Sequence, residues 1–240
     1  MKIAALIPDR GDRPEFLAKC IEQLRRQTRK VDEIHIVGFP PSSEKADITE
    51  RYRDGYQRIS ARGDVELIFF IENDDYYAPD YIERMIAEWN AAGRPHLFGT
   101  GYTIYYHIKE KAFFRMTHPE RASAMNTCIR PGLNINWPQP HEVYTDLHLW
   151  SQDKCLDSAI YSKKTFSPDA PISIGIKHGI GLCGGRHHVD RLDRYSLPGG
   201  RGNEKSSGIA DPDMEWLRDH TDEEMLKFYK NYFLREASNG

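Results

Sequence analysis

At 240 residues, with 39% hydrophobic and 29% charged side chains, the chain is long enough to bury a sizeable core, and one domain is expected. A net charge of −3 argues against a general electrostatic pull toward nucleic acid or anionic membrane. No apolar run approaches the roughly 20 residues that span a bilayer, and Pro8 and Asp9 end the first apolar run too early for a signal peptide. Cys20, Cys128, Cys155 and Cys183 are far apart and form no C-x-x-C pair, so a reduced, cytoplasmic protein without a zinc knuckle is expected.

In chain order, "KIAALIP" (2–8) is a short apolar run that ends at a proline and reads as a buried strand. "DRPEFLAKCIEQLRRQ" (12–27) reads as a helix, with Asp12 and Glu15 as a capping box and Phe16, Leu17, Cys20, Ile21 and Leu24 on one face. "DEIHIVGF" (32–39) is a second strand, and 42–63 a second helix. "VELIFFI" (65–71) is apolar throughout rather than alternating, as expected in a sheet covered on both faces. After Pro79 a third helix carries Tyr81, Ile82, Met85, Ile86 and Trp89 on its buried side. Strand and helix alternate through this half, which implies a mostly parallel α/β sheet.

The second half has a different pattern. "HLFGTGYTIYYHI" (96–108) and "KAFFRMTH" (111–118) read as the strands of a hairpin turning at "KEK". A proline-rich stretch leads into a short helix around 145–161, and "PISIGIKHG" (171–179) reads as a last strand. From Gly179 to about Asp213 the chain is rich in Gly, Arg, His and Ser and reads as a mobile loop. The tail reads as a helix with a capping box at Thr221 and Glu224 and with Met225, Phe228, Tyr229, Tyr232 and Phe233 on one side.

Glu72, Asp74 and Asp75 crowd three carboxylates at the end of the third strand, beside Asn73. Like charges so close are costly unless something positive sits among them. In open α/β sheets ligands bind beyond the carboxyl ends of the strands, and paired carboxylates there commonly hold Mg²⁺ or Mn²⁺ carrying a substrate phosphate. The alternative is a solvated acidic turn ahead of the following helix.

"FIENDDYYAPDYIERM" (70–85) resembles the aspartate-rich motif of family 2-type glycosyltransferases with the GT-A fold. "IPDRGDRPEFLAKCIEQLRRQTRKVDEIHIVG" (7–38) resembles the start of the same family, so the likeness covers about the first 95 residues. The resemblance implies a Rossmann-like, mostly parallel sheet flanked by helices, with a smaller acceptor-side region. It divides the chain into a nucleotide-sugar half (1–95), an acceptor half with a lid loop (96–212) and a C-terminal helix (213–240). It also implies a nucleotide-sugar donor, with a UDP-sugar favoured, and transfer of a hexosyl or pentosyl group. Two departures stand out: "VGFPPSS" (37–43) replaces the family's aspartates after the second strand, and Glu72 replaces the first aspartate of D-x-D.

Carried over residue by residue, the resemblance makes Asp74, Glu72 and Asp75 metal ligands, with His178 completing the set and His187 or His188 as alternatives. Pro8, Asp9, Arg10 and Arg13 would border the nucleoside, together with Glu72 and Asn73, and Arg186, Arg191 or Arg194 would reach the phosphates from a lid. "HEVYTDLHLW" (141–150) matches the place of the base of an inverting enzyme, Asp146 first and Glu142 second; helix-start carboxylates are also common without catalysis. The acceptor would be a glycan, a small molecule or a protein hydroxyl. Nucleic acid is not favoured despite the basic stretches at 24–30 and 184–194. Nucleotidyl transfer to a sugar phosphate is disfavoured, since "PDRGDRPEF" (8–16) lacks the glycine-rich loop it needs; a non-catalytic nucleotide-binding module remains the other alternative.

Overall fold

The structure is a computed structural model that describes residues 1–40, 47–137, 149–150, 161–178 and 208–238. Its elements begin with β1 (Ile3–Asp9), α1 (Pro14–Arg26), β2 (Glu33–Gly38), α2 (Ile48–Arg62), β3 (Leu67–Phe70), β4 (Tyr76–Tyr77) and α3 (Tyr81–Ala91). They continue with β5 (Leu97–Thr100), β6 (Tyr102–His107), β7 (Ala112–Thr117), a 3₁₀ turn at Ala124–Asn126 and β8 (Thr127–Ile129). The last are β9 (Lys163–Phe166), β10 (Ser173–Lys177), β11 (Gly208–Ala210) and two helices, α4 (Glu215–His220) and α5 (Glu223–Ser238).

One sheet has the order β2-β1-β3-β8-β5-β9. β1 pairs in parallel with β2 and β3, β5 in parallel with β9, and β8 is antiparallel to both β3 and β5. Five strands therefore run one way and β8 alone opposes them. The continuous apolar runs are explained by period-2 geometry with both faces covered. Ala4, Leu6, Ile68 and Phe70 point to the side packed by Tyr52, Tyr56 and Ile59 of α2. Ile3, Ala5, Ile7, Leu67 and Phe69 point to the side packed by Cys20 and Leu24 of α1 and by Ile82, Met85 and Trp89 of α3. α2 lies so close that a Cβ on Gly55 would come within 2.1 Å of the Leu6 side chain.

The run 96–108 does not form one strand of a hairpin. β5 belongs to the first sheet, and only β6 pairs antiparallel with β7. The switch falls at Gly101, where a Cβ would sit 2.3 Å from the His118 carbonyl oxygen, so the crossing needs a residue without a side chain. The second sheet has the order β11-β7-β6-β10-β4. β11 lies within the stretch expected to be a loop: residues 208–210 pair antiparallel with β7. β4, β8 and β9 were not foreseen either. Each is four residues or shorter, too brief for a periodic signal.

Two helix starts also differ from expectation. Asp12 and Glu15 do not cap α1: the N-cap is Arg13 with no side-chain cap bond, Pro14 takes the first turn, and Asp12 Oδ2 lies 3.6 Å from Arg10 Nε. At α5 the cap is Asp222, whose Oδ1 accepts from Met225 N at 2.7 Å. Thr221 instead donates to the Leu217 carbonyl at 2.7 Å, and Glu224 pairs with Lys19 and Arg26 of α1. Buried Met225, Leu226 and Tyr229 bring α5 onto the core of the second sheet together with Phe16. Phe16 thus ties α1 to both sheets. Cys20 and Cys128 are buried free thiols, and burial pushes both well above the usual range, which leaves them inert. No helix among the described residues is long and apolar enough to cross a membrane.

Candidate functional site

The carboxyl ends of β1 and β3 meet the end of β10. The ladder of β1 and β3 continues one residue past β3, where Ile71 N donates to the Leu6 carbonyl at 3.0 Å. The chain then turns through Glu72–Asp75 and comes back as β4, which pairs antiparallel with β10 at Ser173 and Ile174. That pairing brings Lys177 and His178, about a hundred residues further along, to the acidic turn.

The turn is held from beneath by α1. Gln23 Nε2 donates to the Asp75 carbonyl at 3.1 Å, and Gln23 Oε1 accepts from Tyr77 N at 2.9 Å. Gln27 does the same one turn on, donating to the Ala78 carbonyl at 2.8 Å and accepting from Ile82 N at 3.0 Å. Tyr77 OH accepts from Glu72 N at 2.8 Å. Both glutamines are buried. Each side chain satisfies two backbone groups that would otherwise lose water without replacement. The sequence reading missed them. Their signal was two amides in register with the apolar stripe of α1, Gln23 and Gln27 beside Phe16, Cys20 and Leu24.

Glu72, Asp74 and Asp75 each offer a carboxylate oxygen within 4.8 Å of the others. The three differ in environment. Asp75 is 1% exposed; its Oδ1 accepts from Ile176 N at 2.8 Å, while its buried Oδ2 has no hydrogen-bond partner among the described residues. Burial, and then the charges of Asp74 and Glu72, push its carboxyl well above the usual range. Asp74 goes the other way: burial opposes its ionisation, but Arg13 and then His178 outweigh it and hold the carboxyl well below the usual range. Among the described residues, the positive charge beside the acidic turn therefore includes Arg13.

His178 is fully buried and packs on Phe16 with ring centroids 4.9 Å apart. Its Nε2 lies 2.8 Å from Asp74 Oδ2 and 2.8 Å from Arg13 Nη1, and Arg13 Nη1 also donates to Asp74 Oδ2. Arg13 Nε lies 3.5 Å from Asp12 Oδ1, close enough for an ion pair but without a hydrogen bond. Asp9, at the end of β1, accepts from Asn73 Nδ2 at 2.8 Å, which fixes the end of β1 to the acidic turn. Asn73 thus has a structural use for the amide assigned to the nucleotide. Pro8 is buried in the ladder opposite Val37. Arg10 turns to Asp12.

The structure therefore brings Arg13, Glu72, Asp74, Asp75 and His178 together, with Asp9 and Asn73 as a brace. Asp146, Glu142, Arg186, His187, His188, Arg191 and Arg194 lie outside the described residues. The donor set suits a hard divalent cation: carboxylate oxygens, one imidazole nitrogen and an orphaned buried oxygen on Asp75.

At the level of sequence, no family model and no curated protein matches the chain. Among solved structures it is similar to S. aureus TarS 1–349 in complex with UDP-GlcNAc, with a TM-score of 0.50 and 12% identity over 85% of this chain and 68% of that one. It is also similar to A197 from STIV, with a TM-score of 0.41 and 13% identity over 70% of this chain and 82% of the other. For TarS 1–349 in complex with UDP the TM-score is 0.38. At such low identity the likeness is one of fold. The chain has an α/β architecture of the GT-A type, a mostly parallel central sheet flanked by helices.

Proposed function

We propose that this protein is a metal-dependent glycosyltransferase that moves a hexosyl or pentosyl group from a nucleoside-diphosphate sugar, preferably a UDP-sugar, to an acceptor hydroxyl. The observation that carries this reading is the convergence of Glu72, Asp74 and Asp75 with His178 at the carboxyl end of the central sheet. The fold is shared with a protein solved in complex with UDP-GlcNAc, which supports a nucleotide-sugar donor.

In the proposed reaction the bond between the sugar's anomeric carbon and the diphosphate oxygen breaks, and its electron pair leaves with the nucleoside diphosphate. The acceptor oxygen forms the new bond, and its proton passes to a carboxylate, Asp146 first and Glu142 second. Bound Mn²⁺ or Mg²⁺, held by Asp74, Glu72, Asp75 and His178, would neutralise the departing diphosphate. Asp9 and Asn73 brace the floor of the site, with Pro8 and Arg10 at the nucleoside side, and Arg13 supplies a cation within reach of the phosphates. Arg186 is proposed as a further phosphate contact. The chain is read as one domain whose first 95 residues bind the donor.

Thermal denaturation with nucleoside diphosphates and UDP-sugars, with and without Mn²⁺, tests the reading. Stabilisation by UDP or a UDP-sugar that needs Mn²⁺ is expected, and no response to any nucleotide under either condition would overturn it. Asp146→Asn should keep donor binding and lower transfer about 10²–10⁴-fold. Unchanged turnover would move the base to Glu142.

A further inference from the structure

Arg13 Nη1, Asp74 Oδ2 and His178 Nε2 form a triangle, and one imidazole proton cannot satisfy all of its sides. With a proton on Nε2, the ring donates to Asp74 but presents a second donor to Arg13. Without one, it accepts from Arg13 but presents a second acceptor to Asp74, 2.8 Å away. A cation without protons of its own, placed between Asp74 and His178, makes every contact attractive. Three carboxylates converge beside the guanidinium, and among the described residues Asp75 Oδ2 has no hydrogen-bond partner.

Resting on the reading that this site takes a divalent cation, we infer that Arg13 is the cation's built-in stand-in: its guanidinium and the metal compete for the same two atoms, Asp74 Oδ2 and His178 Nε2. Without metal, Arg13 holds the two ligands together and keeps the acidic turn from repelling itself apart. When metal arrives, Arg13 must leave. It has little distance to cover, because its Nε already lies 3.5 Å from Asp12 and its backbone is anchored as the N-cap of α1. Phe16 N and Leu17 N both bond to the Arg13 carbonyl, so the backbone stays while the side chain swings. A freed guanidinium needs an anion, and a diphosphate arriving with the metal supplies one. Metal and nucleotide should therefore load together, each weak without the other.

The test is Mn²⁺ affinity, measured by titration calorimetry on the full chain with and without UDP. For the wild type, weak Mn²⁺ binding alone and much tighter binding with UDP are expected. Arg13→Gln should tighten Mn²⁺ binding without nucleotide by about tenfold or more and shrink the gain from UDP, since the competitor is gone. Arg13→Gln that binds Mn²⁺ no tighter than the wild type overturns the exchange, even if the wild type binds Mn²⁺ with UDP. A wild type that binds neither Mn²⁺ nor UDP overturns the functional reading itself, so the two failures are told apart. A second measurement needs no folded variant: the ¹⁵N side-chain signals of arginine in the wild-type chain, followed on adding Mg²⁺ and UDP. A large shift of the Arg13 Nε–H signal is expected, and a signal unmoved at saturating Mg²⁺ and UDP overturns the exchange.

Discussion

Two arginine–aspartate pairs lie at the carboxyl ends of neighbouring strands of the same sheet, one buried and one half-buried, and they are built on different terms. Arg51 of α2 is wholly buried; its Nη2 donates to Asp47 Oδ2 at 2.8 Å and to the Phe39 carbonyl at 2.6 Å, and its guanidinium lies 3.9 Å from the centre of the Phe39 ring. Every one of those contacts is attractive with the charges as they are, which is how a buried ion pair avoids a net loss. Arg13 is 14% exposed and shares its carboxylate with an imidazole that cannot serve both neighbours. The first pair closes the end of β2 as structure. The second is the arrangement that, in the exchange proposed above, gives way to a divalent cation, and the comparison sets a structural arginine against one proposed to belong to a site.

The contrast is broken most directly by removing the two aspartates. Asp74→Ala takes away the shared partner of Arg13 and His178 and the proposed metal ligand at once, so transfer should fall by about 10³-fold or more and the Mn²⁺-dependent stabilisation by UDP should vanish. Calorimetry showing unchanged Mn²⁺ dependence would exclude Asp74 as a ligand. Asp47→Ala should do the opposite: urea denaturation should show a loss of about 3–5 kcal/mol from the stranded Arg51 charge, with Mn²⁺ and UDP affinity retained. A variant of normal stability would mean that Phe39 and the carbonyls suffice to hold Arg51.

Gln23→Leu sharpens the comparison by testing what keeps the acidic turn in place. It leaves the Asp75 carbonyl and Tyr77 N without their partner, at about 1–3 kcal/mol for each buried group, and should loosen Mn²⁺ binding as well. Full Mn²⁺ affinity in a destabilised variant would show that β4 and β10 hold the turn unaided.

The smallest effect concerns another arginine–histidine contact. His118 Nε2 lies 2.8 Å from Arg121 Nη2, and burial followed by the Arg121 charge lowers its pKa from 6.5 to about 4. The unfolded chain therefore binds more protons between those values. Stability from this group is complete above about pH 6.5 and is lost as pH falls toward 4, amounting to about 2 kcal/mol between pH 7.5 and 5. His118→Gln should flatten that part of the stability–pH curve. A wild-type curve with the same slope as the variant's would exclude the assignment.

Local pattern sufficed for the first half of the fold. Continuous apolar runs announced β1 as a buried strand and β3 as one covered on both faces, a 3.6-residue stripe announced α1 and α3, and three carboxylates in four residues marked the acidic turn, with a solvated turn as the alternative to a metal site. The parallel sheet followed from alternation, and Arg13, Asp74 and His178 were each named from the residues or their resemblance to a family. What no local pattern contains is the partner of a contact. Asp74 meets His178 across 104 residues and Arg13 across 61, and Gln23 reaches the turn across 52. The same holds where 97–107 divides between two sheets at Gly101: the apolar period shows that both pieces are buried, but their separate sheet partners, and the His118 carbonyl that leaves no room for a Cβ at Gly101, belong to the tertiary structure. Periodicity in a sequence records which face of an element leaves water. Which other face it meets is settled by packing between segments far apart in the chain, and the chemistry of this site lies in those meetings.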